Sequence, residues 1–411
     1  MKVLLNASKQ PAVPTTLAIT GSKSETNRLL LLQALYPNLK IKNTSASDDS
    51  KVLTKALTIK SGTVDVHHAG TAMRFLTAYF TALPGSEVVL TGSERMQQRP
   101  IGVLVDALRK LGGSISYVKK EGYPPLKISG KNLQKNVTTL RADVSSQFIS
   151  ALLLMAPALP NGLSLSLLGT ITSKPYLDMT LDLLAALDVA YRFEGNSITI
   201  SHKPTIQDTT IVVESDWSSA SYFYSAVALS DSLEITLTSY KAESLQGDGA
   251  LNKLYKSLGV STRFNSENES ITLFKNNSVV ATTYKADLSN TPDIAQTIAV
   301  TCFGLGIGCH LTGLHTLKIK ETDRLLALQL ELRKLGATVD ISEDSIQLEA
   351  TSAILSDVAI KTYNDHRMAM AFAPLAFKTS LTILDAEVVS KSFPTFWEDL
   401  QKVGISVQKE A

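Results

Sequence analysis

One arrangement recurs along this 411-residue chain and limits its fold more than any other feature: an amphipathic helix, a Leu-Gly or Val-Gly pair, then a short alternating strand. It is read at Leu111-Gly112 before Ile115-Ser116-Tyr117-Val118, at Leu258-Gly259 before Ser261-Thr262-Arg263-Phe264, at Leu335-Gly336 before Val339-Asp340-Ile341, and at Val403-Gly404 before Ile405-Ser406-Val407. Leu187-Asp188 before Ala190-Tyr191-Arg192-Phe193 is a degenerate copy. Glycine just past a helix accepts the left-handed backbone that closes the last turn. The marker positions 112, 188, 259, 336 and 404 lie 68 to 77 residues apart, and Gly62 offers a sixth, earlier marker. A period this long is a whole supersecondary unit of helix and strand, not a solenoid repeat, so six duplicated α/β units are expected.

Each unit carries a second, more apolar helix that opens on small or polar residues. These begin near Ser24, Thr71, Ser146, Ser218, Pro292 and Asp365, with interiors such as Ile149-Ser150-Ala151-Leu152-Leu153-Leu154 that are apolar nearly all round. Such helices are buried among other elements. Their Ser, Thr and Asp residues are good N-caps. Arg28, Arg74, Gln147 and Arg367 in the first turns are less readily explained, since a cation there opposes the helix dipole unless an anion is present. If the units pack with rotational symmetry, these ends converge on an interdomain cleft lined by positive helix termini.

At this length two domains are expected. Forty Lys+Arg against 38 Asp+Glu leave a formal charge of +2, too balanced for a chain whose main partner is nucleic acid. Only Cys302 and Cys309 are present, with no Cys-x-x-Cys pair and no clustered His, which argues against zinc or a disulfide framework and fits a reducing cytoplasm. No apolar run is long enough to span a membrane and none reads as an export signal.

The loop Gly21-Ser22-Lys23-Ser24-Glu25-Thr26-Asn27-Arg28, entering Leu29-Leu30-Leu31-Leu32, has the makings of an anion site: open helix amides, the Lys23 ammonium, the Ser24 hydroxyl, and Arg28 one turn on. It lacks the spacing of a Walker loop. Lys318-Ile319-Lys320-Glu321-Thr322-Asp323-Arg324 is expected to start a long helix running to Leu335, with Lys320 and Arg324 four apart on one face. Asp293 heads another buried helix. A carboxylate there is an ordinary cap, but beside lysines it is held ionised and poised as a base. Arg99 and Lys391 each precede a helix as loop charges.

Gly21-Ser22-Lys23-Ser24 with Asn27-Arg28, Ala69-Gly70-Thr71-Ala72-Met73-Arg74, Arg99-Pro100-Ile101-Gly102, Val144-Ser145-Ser146-Gln147-Phe148, Ser173-Lys174-Pro175-Tyr176, Lys320 to Arg324, Tyr363-Asn364-Asp365-His366-Arg367-Met368 and Lys391-Ser392-Phe393-Pro394 occur in series over nearly the whole chain. Together they resemble the 5-enolpyruvylshikimate-3-phosphate synthase family of enolpyruvyl transferases. The resemblance implies a two-domain inside-out α/β barrel, each domain made of three βαβαββ units with buried parallel helices. Residues 1–19 and 215–411 would form one domain and 20–214 the other, with the active site in the interdomain cleft. It implies transfer of the carboxyvinyl group of phosphoenolpyruvate to the 5-hydroxyl of shikimate 3-phosphate with release of phosphate, through a tetrahedral intermediate, on the shikimate pathway to chorismate. It further implies a cytoplasmic monomer that needs no metal or cofactor.

By resemblance, Asp293 accepts the hydroxyl proton, Glu321 is the proton donor, and Lys23 bridges both substrates. Shikimate 3-phosphate would meet Lys23, Ser24, Arg28, Ser145, Ser146, Gln147, Ser173, Asp293, Thr316 and Lys320. Phosphoenolpyruvate would meet Lys23, Gly70, Arg99, Gln147, Arg324, Arg367 and Lys391. Three positions depart from the pattern: His68 and Thr316 stand where many members carry asparagine, and Phe75 where many carry proline, beside phosphoenolpyruvate and the inhibitor glyphosate. The sister transferase acting on UDP-N-acetylglucosamine typically uses a loop cysteine in its N-terminal half, whereas no cysteine precedes Cys302 here. A non-catalytic anion binder on the same scaffold would gain nothing from Asp293 and Glu321, because carboxylates near a bound anion oppose it.

Overall fold

A computed structural model describes residues 1–8, 14–143, 145–171, 174–279 and 282–410. The chain divides into two compact units, one of Met1–Gly21 with Glu214–Ala411 and the other Ser22–Val213. Each is built from three sheets around three buried helices.

In the Ser22–Val213 unit the buried helices are Lys23–Leu35, Gly70–Ala82 and Ser146–Met155. All three contact one another. Their apolar residues leave water almost completely, Leu29, Ala72, Phe75, Ile149 and Leu152 among them. Each fully buried Leu, Ile or Phe side chain contributes about 1.5–3 kcal/mol. Around the helices, strands alternate inward and outward. Ser197–Ile200 buries Ile198 and Ile200 and exposes Ser197 and Thr199, the period-2 pattern of a sheet with one wet face.

The expected unit is visible in the pairing. Ser61–Asp65 runs parallel to Glu87–Thr91, which pairs antiparallel with Leu126–Ser129, itself antiparallel to Ser114–Tyr117. The sheets built on Val137–Arg141 and Thr283–Asp287 repeat this order. In the other unit the N-terminal segment completes two sheets. Lys2–Ala7 lies between Leu381–Ile383 and Ile405–Glu410, and Thr15–Ala18 runs parallel to Ile235–Thr238. That pairing is why the first residues belong with the last two hundred. The buried helices of this unit are Trp217–Leu229, Ala295–Gly304 and His366–Phe372.

All five repeat markers adopt positive φ: Gly112 at 101°, Asp188 at 55°, Gly259 at 84°, Gly336 at 99° and Gly404 at 96°. Gly62 differs. It also has positive φ, at 96°, and like Gly259 in Leu258–Asn265 it lies inside a strand, Ser61–Asp65, but no helical turn ends immediately before that strand as Tyr255–Ser257 does before Gly259's. The helix Asp48–Leu57 leads into that strand, so no antiparallel pair comes after it, and the first sheet has two strands, Leu39–Lys42 parallel to Thr209–Val212. Among the described residues five sheets are four-stranded and one is two-stranded.

The helix expected from Lys318 begins later. His315–Ile319 is a 3-10 turn, Lys320 is extended, and the α-helix is Arg324–Lys334, with Asp323 accepting from the Leu326 N–H at 3.1 Å. Asp323 is the better cap because its carboxylate meets open amides at the positive helix end. Lys320 and Glu321 therefore sit in the loop before the helix.

Candidate active site

In the Ser22–Val213 unit the helix ends carry the cationic residues. Ser22 caps Lys23–Leu35, and Ser145 caps Ser146–Met155 by accepting from the Gln147 N–H at 3.3 Å. Gln147 in turn donates to Thr71 Oγ1 at 3.2 Å, joining the ends of two buried helices. Ser24 is half-buried and Ser146 buried in the first turns. Lys23 forms an ion pair with Asp49 at 3.5 Å, at the start of the helix Asp48–Leu57. Sequence reasoning missed Asp49, because an acid in the first turn reads as an ordinary helix end. Ser173 lies outside the described residues.

Arg28 and Arg74 lie just beyond the first turns of Lys23–Leu35 and Gly70–Ala82, where backbone carbonyls of the preceding turn meet their guanidinium groups. Arg28 donates to the Ser24 carbonyl at 2.8 Å, one turn back, and to Thr180 Oγ1 at 2.8 Å, Ser150 Oγ at 3.1 Å and the Tyr176 carbonyl at 3.1 Å. Burial pushes its guanidinium down to about 10, still cationic at neutral pH. Arg74 donates to the Gly70 carbonyl at 3.1 Å in the same i to i−4 manner. Long helical side chains tilt toward the N-terminus, so an arginine here meets carbonyls of the turn before it.

The helix Gly70–Ala82 has no side-chain cap, since Ala69 stands at that position. The Arg99 guanidinium lies over it: a Cβ on Gly70 would fall 2.6 Å from Arg99 Nη1. Arg99 Nε is buried and meets no acceptor among the described residues. An uncapped helix end with a guanidinium set against it, one nitrogen of which is unmet among the described residues, suits an anion.

In the other unit the ends of three buried helices converge. Asp216 caps Trp217–Leu229 at Ser219 N, and Asp365 caps His366–Phe372 at Arg367 N. Asp293 sits in the turn Pro292–Ile294 that leads into Ala295–Gly304. Arg367 joins all three: it donates to Ser218 Oγ at 3.3 Å and to the Asp293 carbonyl at 3.1 Å, and lies 3.1 Å from Asp293 Oδ2.

Arg324 is 2% exposed and bonds three carboxylates: Asp365 Oδ2 at 2.7 Å, Asp293 Oδ1 at 3.0 Å and Glu321 Oε2 at 2.9 Å. Burial would lower its proton affinity, but Asp365, Glu321 and Asp293 outweigh that and raise it. Lys320 Nζ lies 3.6 Å from Asp293, and Lys391 Nζ donates to Glu321 Oε1 at 2.9 Å. Burial alone would push the Asp293 carboxyl up, yet Arg367, Lys320 and Arg324 together hold it well below the carboxylate range. Burial pulls the Lys320 ammonium down. Thr316 is buried nearby in chain order, on the turn His315–Ile319, and its Oγ1 meets no partner among the described residues. Two carboxylates are thus held among four cations, an arrangement suited to moving protons beside a polyanionic ligand.

Asp365 was legible only as a helix start; its role in fixing Arg324 needs the fold. His68 and His67 are exposed, their rings 4.0 Å apart edge to face, and Phe75 packs 5.7 Å from the Arg28 guanidinium in the interior.

The fold is that of the enolpyruvyl transferases. Over the full length of both chains, the structure superposes on an EPSP synthase from Acinetobacter baumannii with a TM-score of 0.79 at 21% identity. It superposes on the enolpyruvyl transferase NikO from Streptomyces tendae with a TM-score of 0.74 at 12% identity. Sequence narrows the class. The family model of EPSP synthase (3-phosphoshikimate 1-carboxyvinyltransferase) matches residues 39–400, and a 3-phosphoshikimate 1-carboxyvinyltransferase of Bacteroides fragilis is 43% identical over 99% of both chains. The chain belongs to the EPSP synthase family.

Proposed function

We propose that this enzyme transfers the carboxyvinyl group of phosphoenolpyruvate to the 5-hydroxyl of shikimate 3-phosphate and releases phosphate, by addition and then elimination. The observation that carries the reading is the pairing of Asp293 and Glu321 among Lys320, Arg324, Arg367 and Lys391. Addition needs a base for the attacking hydroxyl and an acid for the methylene carbon. Asp293 is the base and Glu321 the acid. Both are held by cations that anionic substrates also attract. As substrate phosphate and carboxylate groups engage Arg367 and Lys320, the hold on Asp293 slackens and its basicity rises toward the working range. Likewise a Glu321 relieved of Lys391 is one that can carry the proton it donates.

Arg99, Arg367 and Lys391, with the amides behind Gly70 and the Gln147 amide, would take phosphoenolpyruvate. Arg324, spent on three carboxylates, holds acid and base in place. Shikimate 3-phosphate would be met by Lys23, Ser24, Ser145, Ser146, Ser173 and Thr316, with Arg28 fixing the helix that presents them. Lys23 serves both substrates. Arginine suits this work because its fork grips carboxylate and phosphate bidentately. Neutralisation falls to lysines and arginines, so no step of this scheme calls for a metal. Among the described residues no helix is long and apolar enough to cross a membrane; we place the enzyme in the cytoplasm, as a monomer, on the route to aromatic amino acids.

The test is phosphate release from phosphoenolpyruvate with shikimate 3-phosphate, with UDP-N-acetylglucosamine, and with no acceptor. Release only with shikimate 3-phosphate is expected. Release with the nucleotide sugar instead, or with neither acceptor, would overturn the reading. Cys302 and Cys309 are both buried in the core, which disfavours the sister enzyme's thiol acid.

A further inference from the structure

Behind the Asp293 cluster lies a carboxylate with no part in the acid and base chemistry assigned to Asp293 and Glu321. Asp248 sits in the 3-10 turn Gly247–Ala250 and is 4% exposed. Its turn is pinned to the start of the helix Trp217–Leu229: Gln246 Oε1 accepts from Trp217 N–H at 2.9 Å, and Gln246 Nε2 donates to the Ser215 carbonyl at 2.9 Å. Ser218 Oγ donates to Asp248 Oδ2, while the same oxygen accepts from Arg367 Nη2. Asp248 Oδ1 meets no hydrogen-bond donor among the described residues. A buried carboxylate with one oxygen unmet is costly when ionised and comfortable when protonated.

We propose that Asp248 is a proton-linked positioning residue for phosphoenolpyruvate: through Ser218 it holds Arg367, and the site takes the anion with Asp248 neutral. This rests on the reading of Arg367 as a phosphoenolpyruvate ligand. The charged groups that face Asp248 are Asp293, Arg367 and Asp216. Burial and the charge of Asp293 push its carboxyl up to about 7, against the opposing pull of Arg367 and the Ser218 hydroxyl, with Asp216 adding to the rise. An anion arriving at Arg367 adds negative charge to the same neighbourhood and takes up part of the field that keeps Asp248 ionised. Binding therefore draws a proton from solvent onto Asp248, and by linkage, ionised Asp248 weakens binding.

The experiment measures kcat and the KM for phosphoenolpyruvate from pH 6 to 9, at saturating shikimate 3-phosphate, for unmodified enzyme and for Asp248→Asn. Asparagine keeps an acceptor for Ser218 but cannot ionise. For the unmodified enzyme KM should rise above pH 7, by about tenfold for each pKa unit through which the anion displaces Asp248. The variant should lack that rise and bind more tightly than the unmodified enzyme at pH 8.5. A variant with the unmodified pH profile, or with KM raised equally at every pH, would show that Asp248 is merely structural and overturn the proposal. Should the variant not fold, Ser218→Ala decides, since it removes the hydroxyl that favours ionised Asp248 and leaves Asp293 and Glu321 in place. A rise in KM that moves to higher pH supports the linkage; one that stays where it was sinks it. Arg367→Gln separates the two readings: unchanged KM in that variant removes Arg367 as a ligand, whereas raised KM with a flat pH response in the unmodified enzyme condemns Asp248 alone.

Discussion

Replacing Arg324 with methionine probes the centre of the cluster. The guanidinium is 2% exposed and its bonds reach Asp365, which is fully buried, and Asp293 and Glu321, which are mostly so. Methionine fills much of the volume but leaves three carboxylates packed together with Lys320, Arg367 and Lys391 as remaining cations. Removing one partner of a buried ion pair costs about 3–5 kcal/mol. For a unit of 150–250 residues that is a fall in Tm of about 6–20 °C. The pH dependence carries a sign. Asp293 has a depressed carboxyl, so its contribution is present above the unfolded-state value and is lost as pH falls through its folded-state value. Without Arg324 one of the cations that depress Asp293 is gone, so Asp293 protonates at higher pH, which relieves the repulsion. The gap between unmodified and variant protein should be widest at neutral pH and should narrow as pH falls toward about 4, near the ordinary carboxylate range. Thermal melts and urea titrations at pH 7.5, 5.5 and 4 read it. A gap under 1 kcal/mol at pH 7.5, or one of constant size across the three, would refute the account.

Other perturbations separate binding from folding. Gly70→Ala puts a Cβ 2.6 Å from Arg99 Nη1, the end of a flexible side chain, so Tm should hardly change while the KM for phosphoenolpyruvate rises about tenfold, the loss of roughly one charge-assisted bond; unchanged KM would argue against Arg99 at that helix end. Lys23→Met removes one partner of a mostly buried but long ion pair to Asp49, so stability should fall by no more than about 3–5 kcal/mol, while turnover of the folded protein, read as phosphate release, is abolished. Arg28→Ala removes four bonds from a buried charged donor, at about 1.5–3 kcal/mol for a bond to a charged group, and should lower the melting temperature of the Ser22–Val213 unit, the loss being softened because Thr180 Oγ1 still reaches the Tyr176 carbonyl and Ser150 Oγ; a silent melt would show that Arg28 is held for ligand rather than for packing.

The six buried helices were legible because their signal is local: a long apolar run that, in four of them, stands behind a Ser or Asp cap, Ser22, Ser145, Asp216 and Asp365. The repeat markers were legible for the same reason, even Asp188, where the left-handed conformation is kept without glycine. The errors arose where a local pattern has two outcomes. Gly62 reads as a helix stop, but the conformation of the residues around it is decided by pairing with Glu87–Thr91, twenty-odd residues on. Lys318 to Arg324 is rich enough in helix formers to continue Arg324–Lys334 forward, yet Asp323 caps that helix and the preceding residues are drawn out to reach Asp293 and Lys391.

What sequence could not supply is which charges answer one another. Arg28 and Arg367 both lie near the N-terminal end of a buried helix, in Lys23–Leu35 and His366–Phe372, and sequence alone gives each the look of a cation at a helix start. Their surroundings differ. Arg28 donates to Thr180 and Ser150, neutral groups, and although the Glu25 charge acts on it, burial outweighs that and lowers its proton affinity. Arg367 finds Asp293 and, through Ser218, Asp248. A cation satisfied by neutral oxygens is fixed in place whatever binds. One paired with carboxylates can exchange them for an incoming anion, provided those carboxylates have somewhere to put a proton. On that reasoning the dispensable charge in this unit is the one on Asp248, whereas Asp293 must keep its charge until the substrate hydroxyl gives up its proton.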